Sequence, residues 1–260
     1  MEQINSIPEP PAEVEKPALS LMARMFNVFT DPGEVFECIR NSKPAAANWL
    51  VPALVYALVG ALSALVIFSQ PAIVQQIHDQ QAAAMDQQVK AGKMTQAQAD
   101  QALAMMDKFA GPNMLKIFGG LGAAFGSFVH VFWWAFVLWL MALLVLKQKI
   151  PFLKMAEVAG LATMIMVLGG VVTTLLTVIT GKLGVTLSPV LAIGNYDMKN
   201  KLHLLLAALN VFNFWLIVVS ACGLSRLTAT SFTKAFLIVG IYWLAYSLFF
   251  ISIGMGQFAL

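Results

Sequence analysis

MAEVAGLATMIMVLGGVVTTLLTVI, residues 155–179, is 25 residues long and carries one formal charge, Glu157. About 20 apolar residues are enough for a helix to cross the hydrocarbon core of a bilayer. Inside that core every backbone N–H and C=O must pair within the chain, so a span is either a helix or a strand of a closed barrel. Barrel strands show alternating polarity over about ten residues. This run is apolar throughout, so it reads as a helix.

Four more runs share the pattern: 49–68, 117–146, 202–222 and 235–255. The chain has 260 residues, 16 Lys and Arg and 13 Asp and Glu, and all charges except Glu157 fall outside the five runs. Charged residues make up 11%, against about a quarter in soluble domains. The fold class is therefore all-α: a polytopic integral membrane protein with five transmembrane helices. A soluble enzyme, a secreted disulfide scaffold and a nucleic-acid binder are excluded. Glu157 follows Lys154 by three residues and is expected to reach the membrane interface.

Lys and Arg are concentrated on the side that loops reach through short turns. Lys16, Arg24, Arg40 and Lys43 precede the first span, and Lys147, Lys149, Lys154, Arg226 and Lys234 occupy two tight connections. That places the N-terminus in the cytoplasm and the C-terminus outside, in an inner-membrane arrangement. Cys38 and Cys222 then belong to the reducing side and read as unpaired thiols.

Residues 1–18 are acidic and proline-rich, with neither a basic n-region nor an apolar core, so they read as a disordered tail rather than a cleavable signal. Residues 19–48 read as cytoplasmic amphipathic helices. Met22, Met25, Phe26 and Phe29 recur at i, i+3, i+4 and i+7. Asp31-Pro32-Gly33-Glu34 is a helix start, and Val35, Phe36 and Ile39 form the apolar side of the helix that follows. These helices lie along the bilayer or pack under the bundle. Met22, Met25, Phe26, Phe29 and Phe36 are the candidate partner-binding surface. The connection 71–111 reads as an extracytoplasmic helical hairpin, with Thr95 and Gln98 forming a capping box for its second helix and Leu103, Met106 and Phe109 as that helix's stripe.

Polar residues within spans normally face protein or an aqueous cavity. His130 sits among Phe128, Phe132, Trp133 and Trp134. Thr163, Gly170, Thr173 and Thr177 share one face, and Asn210 and Asn213 another. His130, Thr173, Thr177, Asn210 and Asn213 are the candidates for a polar core or pore. The competing reading makes them interhelix hydrogen-bond glue, contributing about 0.6–2 kcal/mol each. Small residues recur at Gly122 and Gly126, and at Gly240, Ser247 and Gly254, spacings that suit close helix packing within one chain or in a homo-oligomer. No HExxH, CxxC or Gly-x-Ser-x-Gly motif occurs, and no cofactor or metal site is read from the sequence. Phe152-x-Lys154 and Phe232-x-Lys234, 80 positions apart, open two spans alike.

Phe29-Thr-Asp31-Pro32-Gly-Glu34-Val35-Phe36, Trp49-x-x-Pro52 and the two Phe-x-Lys starts together resemble the Yip domain family, across about residues 26–256. The resemblance implies a five-span layout with a cytoplasmic N-terminus. In eukaryotic members it implies vesicle trafficking, Rab binding and membrane shaping. An Asp-Leu-x-Gly-Pro motif is absent, and the long Gln/Ala hairpin looks like the bacterial branch. Two functional readings follow. One is a non-enzymatic adaptor or scaffold in the lipid bilayer, contacting an unidentified membrane or cytoplasmic protein. The other is a small-solute transporter or channel subunit whose pore forms on oligomerisation.

Overall fold

The computed structural model describes residues 19–254, except 110, 195, 198 and 199. The tail 1–18, residue 255 and the Phe109 side chain lie outside that description. Among the described residues there are ten α-helices and no strand. Five are long and apolar enough to cross a membrane: α3 (Ala47–Ile67), α6 (Pro112–Leu140), α7 (Phe152–Thr180), α9 (Val211–Thr228) and α10 (Phe232–Ser252).

Two short helices precede them. Ser20 caps α1 (Leu21–Asn27) by accepting from the Ala23 N–H at 3.2 Å. Asp31 caps α2 (Pro32–Asn41) by accepting from the Glu34 N–H at 3.0 Å, with Pro32 at the first helical position. The Asp-Pro-Gly-Glu signal thus starts a helix where the side chains can satisfy its orphan donors. Of the two placements open to these helices, the structure shows packing under the bundle: α2 lies against α9, and both touch α7. Met25, Val28, Val35, Phe36 and Ile39 are buried in the same core as the spans.

The centre of that core is the first half of α7, where 154–165 are all buried. Here α3, α6 and α9 surround α7, and α10 packs on α9. Gly160 permits the tightest contact with α3, because a Cβ there would lie 2.3 Å from the Cα of Trp49. Gly223 does the same for α9, with Val158 at 2.3 Å and the Phe36 ring at 3.3 Å. By contrast, a Cβ at Gly122, Gly126 or Gly240 would meet nothing within 4 Å. Among the described residues, no neighbour packs against those three glycines. Ser247 is fully buried, and Gly254 has a φ of +78° in the turn after α10.

The hairpin consists of α4 (Pro71–Lys90) and α5 (Gln96–Phe109). Its second helix opens with the reciprocal bonds of a capping box, Thr95 N–H to Gln98 Oε1 at 2.8 Å and Gln98 N–H to Thr95 Oγ1 at 3.3 Å. The fourth apolar run behaves differently from its expected bounds of 202–222. It divides into α8 (Lys201–Ala208) and α9, which runs on to Thr228. Asn210 causes the break by taking an extended backbone and capping α9. A hydropathy count passes over one Asn, but a strong cap residue ends one helix and starts the next.

Candidate functional site

At the end of the bundle where α1 and α2 dock, four helices meet around a buried group of charges. Lys154 is the third residue of α7, and Glu157 stands one turn further on. Its spacing from Lys154 had placed Glu157 near the membrane interface; the structure shows that the carboxylate is enclosed by protein. It is 0% exposed, because α2, α3 and their connection close over it. Its Oε1 accepts from the Ala45 N–H at 2.9 Å and from Asn48 Nδ2 at 2.6 Å, while Oε2 lies 3.4 Å from Lys154 Nζ.

The Lys154 ammonium donates to the carbonyls of Ile39 and of Ser42, the latter at 2.6 Å. Those carbonyls belong to the C-terminal end of α2, where the helix dipole places negative partial charge. Asn48 passes the network outward, its Oδ1 accepting from Arg24 Nη1 at 3.0 Å. Arg24 Nη2 lies 3.5 Å from Cys38 Sγ. One carboxylate, one ammonium, one guanidinium and one amide therefore tie α1, α2, α3 and α7 together. The polar atoms of Lys154, Glu157 and Asn48 are engaged with one another and with the ends of neighbouring helices, so the chemistry of this junction is that of a latch.

The sequence-derived polar residues fall in three places. His130 on α6 stands edge-on to Tyr56 of α3, with ring centroids 5.8 Å apart and its Nε2 shielded without a hydrogen-bond partner. Thr173 and Thr177 occupy the second half of α7, where Thr177 is buried and its carbonyl accepts from the Gly181 N–H at 2.9 Å. The interhelix hydroxyl contact nearby belongs to Thr174, 2.8 Å from Ser63 Oγ. Asn210 and Asn213 do come together, at the helix break. Asn210 Oδ1 accepts from the Phe212 N–H at 2.9 Å, and Asn213 Nδ2 donates to the Ala208 carbonyl at 3.0 Å. Thr186 takes the Ala207 carbonyl at 3.1 Å. These side chains satisfy the backbone that the break leaves open, as buried backbone requires.

The apolar residues of the N-terminal helices divide by face. Met25 and Phe36 are buried, and Phe29 packs edge-on to Trp215 at 5.8 Å. Met22 and Phe26, one turn apart, remain 62% and 64% exposed. The junction itself was not legible as a unit. The signal that pointed to it was Glu157, the one charge inside the apolar runs, together with Asn48 at the head of the first. Among the described residues, no group of three or more His, Cys, Asp or Glu side chains is placed to hold a metal ion.

Comparison with known proteins gives one family. The model of the Yip1 domain matches residues 26–254, nearly the whole described chain. No curated protein and no solved structure matches.

Proposed function

The chain belongs to the Yip1-domain family, and we propose that it serves as a non-enzymatic membrane adaptor of the Yip type. One observation carries this reading: α1 and α2 are locked to the bundle by the Lys154–Glu157 junction, yet Met22 and Phe26 are left facing outward. A platform held rigid by buried charges, with two large apolar side chains exposed on it, suits recognition of a protein at the membrane surface. We further read the chain as a bacterial-branch member of the inner membrane, with the N-terminus cytoplasmic. The Gln- and Ala-rich hairpin and the Lys/Arg density of the short turns support that assignment.

The alternative is a small-solute transporter or channel subunit. It draws support from His130, a shielded imidazole with an unpartnered nitrogen. Its other candidates are less available, since Asn210 and Asn213 are committed to closing the α8–α9 break. The test is to replace Met22 and Phe26 together by Asp. The variant should keep its thermal stability in mild detergent and lose a protein that co-purifies with the wild type. A set of co-purified proteins identical in the two would contradict the adaptor reading.

A further inference from the structure

Phe125, Phe128, Val129, Phe132, Trp133 and Phe136 line an open groove of about 520 Å³ on the outward face of α6. From that groove a ladder of rings runs to the end of the helix. Trp133 and Phe136 have centroids 6.2 Å apart, Phe136 and Trp139 6.2 Å, and Trp139 and Phe152 6.3 Å. Phe152 opens α7, so the ladder ends at the α6–α7 connection. At 1.5 Å of rise per residue, Phe136 and Phe125 lie about 6 and 22 Å along the axis from Leu140. One leaflet's hydrocarbon is about 15 Å deep, so the groove spans the depth that its acyl chains occupy.

The connection beyond the ladder is fixed in its path and basic. A π-helical turn, Met141–Val145, follows α6, and the Gln148 N–H returns to the Ala142 carbonyl at 2.8 Å. Lys147 has a φ of +55°, one of two non-glycine residues in the left-handed region among those described. Such backbone persists where the surrounding structure over-determines it. Lys147 and Lys149 are exposed, and among the described residues no carboxylate lies within ion-pair distance of either. Leu144 and Val145, 65% and 54% exposed, add apolar surface between the ladder and the lysines. Two unpaired cations at the head of an apolar groove match the charge and shape of an anionic phospholipid. A second copy of the chain does not match. Copies in one membrane share an orientation, so a two-fold pair on this face would set the lysines of one turn against the same lysines of the other.

We propose that the α6–α7 connection and this groove bind one anionic phospholipid, its phosphate on Lys147 and Lys149 and an acyl chain along Trp133 and Phe136. The site is independent of the adaptor reading, since it shares no residue with the N-terminal platform. The experiment is native mass spectrometry of the full chain in an uncharged detergent, with equal amounts of phosphatidylglycerol and phosphatidylcholine. One phosphatidylglycerol per chain should be retained, preferred about thirtyfold, with about fivefold from each lysine. Lys147→Gln or Lys149→Gln should then leave about a fivefold preference, and the double variant none. Phe136→Ala should lower the occupancy of both lipids without changing their ratio. Lys93→Gln, in the hairpin turn, should change neither. Soluble glycerol phosphate, which lacks the chains, should not displace the lipid at equal concentration. No preference for phosphatidylglycerol, a preference that survives in the double lysine variant, or an equal loss with Lys93→Gln would each overturn the assignment. So would full occupancy in Phe136→Ala, displacement by glycerol phosphate, or a dimer lost in Phe136→Ala in place of the lipid adduct.

Discussion

Lys154 and Glu157 stabilise the N-terminal docking through geometry rather than through their mutual attraction alone. Burying two charges costs several kcal/mol each, and the cost is met only where hydrogen bonds complete them. Here the carboxylate accepts from a backbone N–H and an amide, and the ammonium donates to two carbonyls at a helix end. Lys154→Met alone would leave Glu157 buried and unbalanced, and should cost about 3–5 kcal/mol of stability. Adding Glu157→Met should recover much of that loss, because a hydrophobic pair removes both desolvation penalties. Thermal unfolding of the single and double variants in one detergent checks the pair, and additive losses would show that the two act separately. Glycines give a second contrast at this scale. Gly160→Ala would drive a Cβ into the backbone of Trp49, and about 1–3 kcal/mol of destabilisation should follow. Gly240→Ala meets open space, so it should be neutral or stabilising by up to about 1 kcal/mol. A loss at Gly240 as large as that at Gly160 would mean that something outside this chain packs there.

Among the elements, α8 and α9 show what hydropathy does and does not report. The run is apolar enough to read as one span, yet its backbone breaks at Leu209 and Asn210 and is repaired by the side chains of Asn210, Asn213 and Thr186. Asn210→Ala removes the cap of α9 and should cost about 1 kcal/mol. Asn213→Ala leaves the Ala208 carbonyl without its donor and should cost about 1–3 kcal/mol. Amide hydrogen exchange should then rise at Val211–Asn213 and in α8, and stay unchanged in α3 and α6. Exchange unaltered at the break would show that the asparagines are not what holds it. The short helix α2 makes the opposite point. Its start was legible because Asp31, Pro32 and Glu34 are a local signal, read by the backbone within one turn.

Across the whole molecule, the architecture was readable because each apolar run must satisfy its own backbone in lipid, whatever surrounds it. The membrane character and the spanning helices follow from that local requirement, and the hairpin from the equally local capping box at Thr95 and Gln98. The junction was not readable, because Arg24, Asn48 and Glu157 are far apart in the chain and meet only once α1 and α2 fold under the bundle. Glu157 looked interfacial by its spacing from Lys154, and only the packing of α2 and α3 shows that it is enclosed. The candidate partner face divided for the same reason. Periodicity places Met22, Met25, Phe26 and Phe29 on one stripe, but a stripe does not say which residues the bundle covers. The central claim is that docking covers Met25 and Phe36 and presents Met22 and Phe26. A photo-crosslinking amino acid placed in turn at positions 22, 26, 25 and 36, in native membranes, tests it directly. Positions 22 and 26 should yield a discrete adduct with another protein, and positions 25 and 36 only adducts within the chain. Intermolecular adducts at 25 and 36, or lipid adducts alone at 22 and 26, would contradict it.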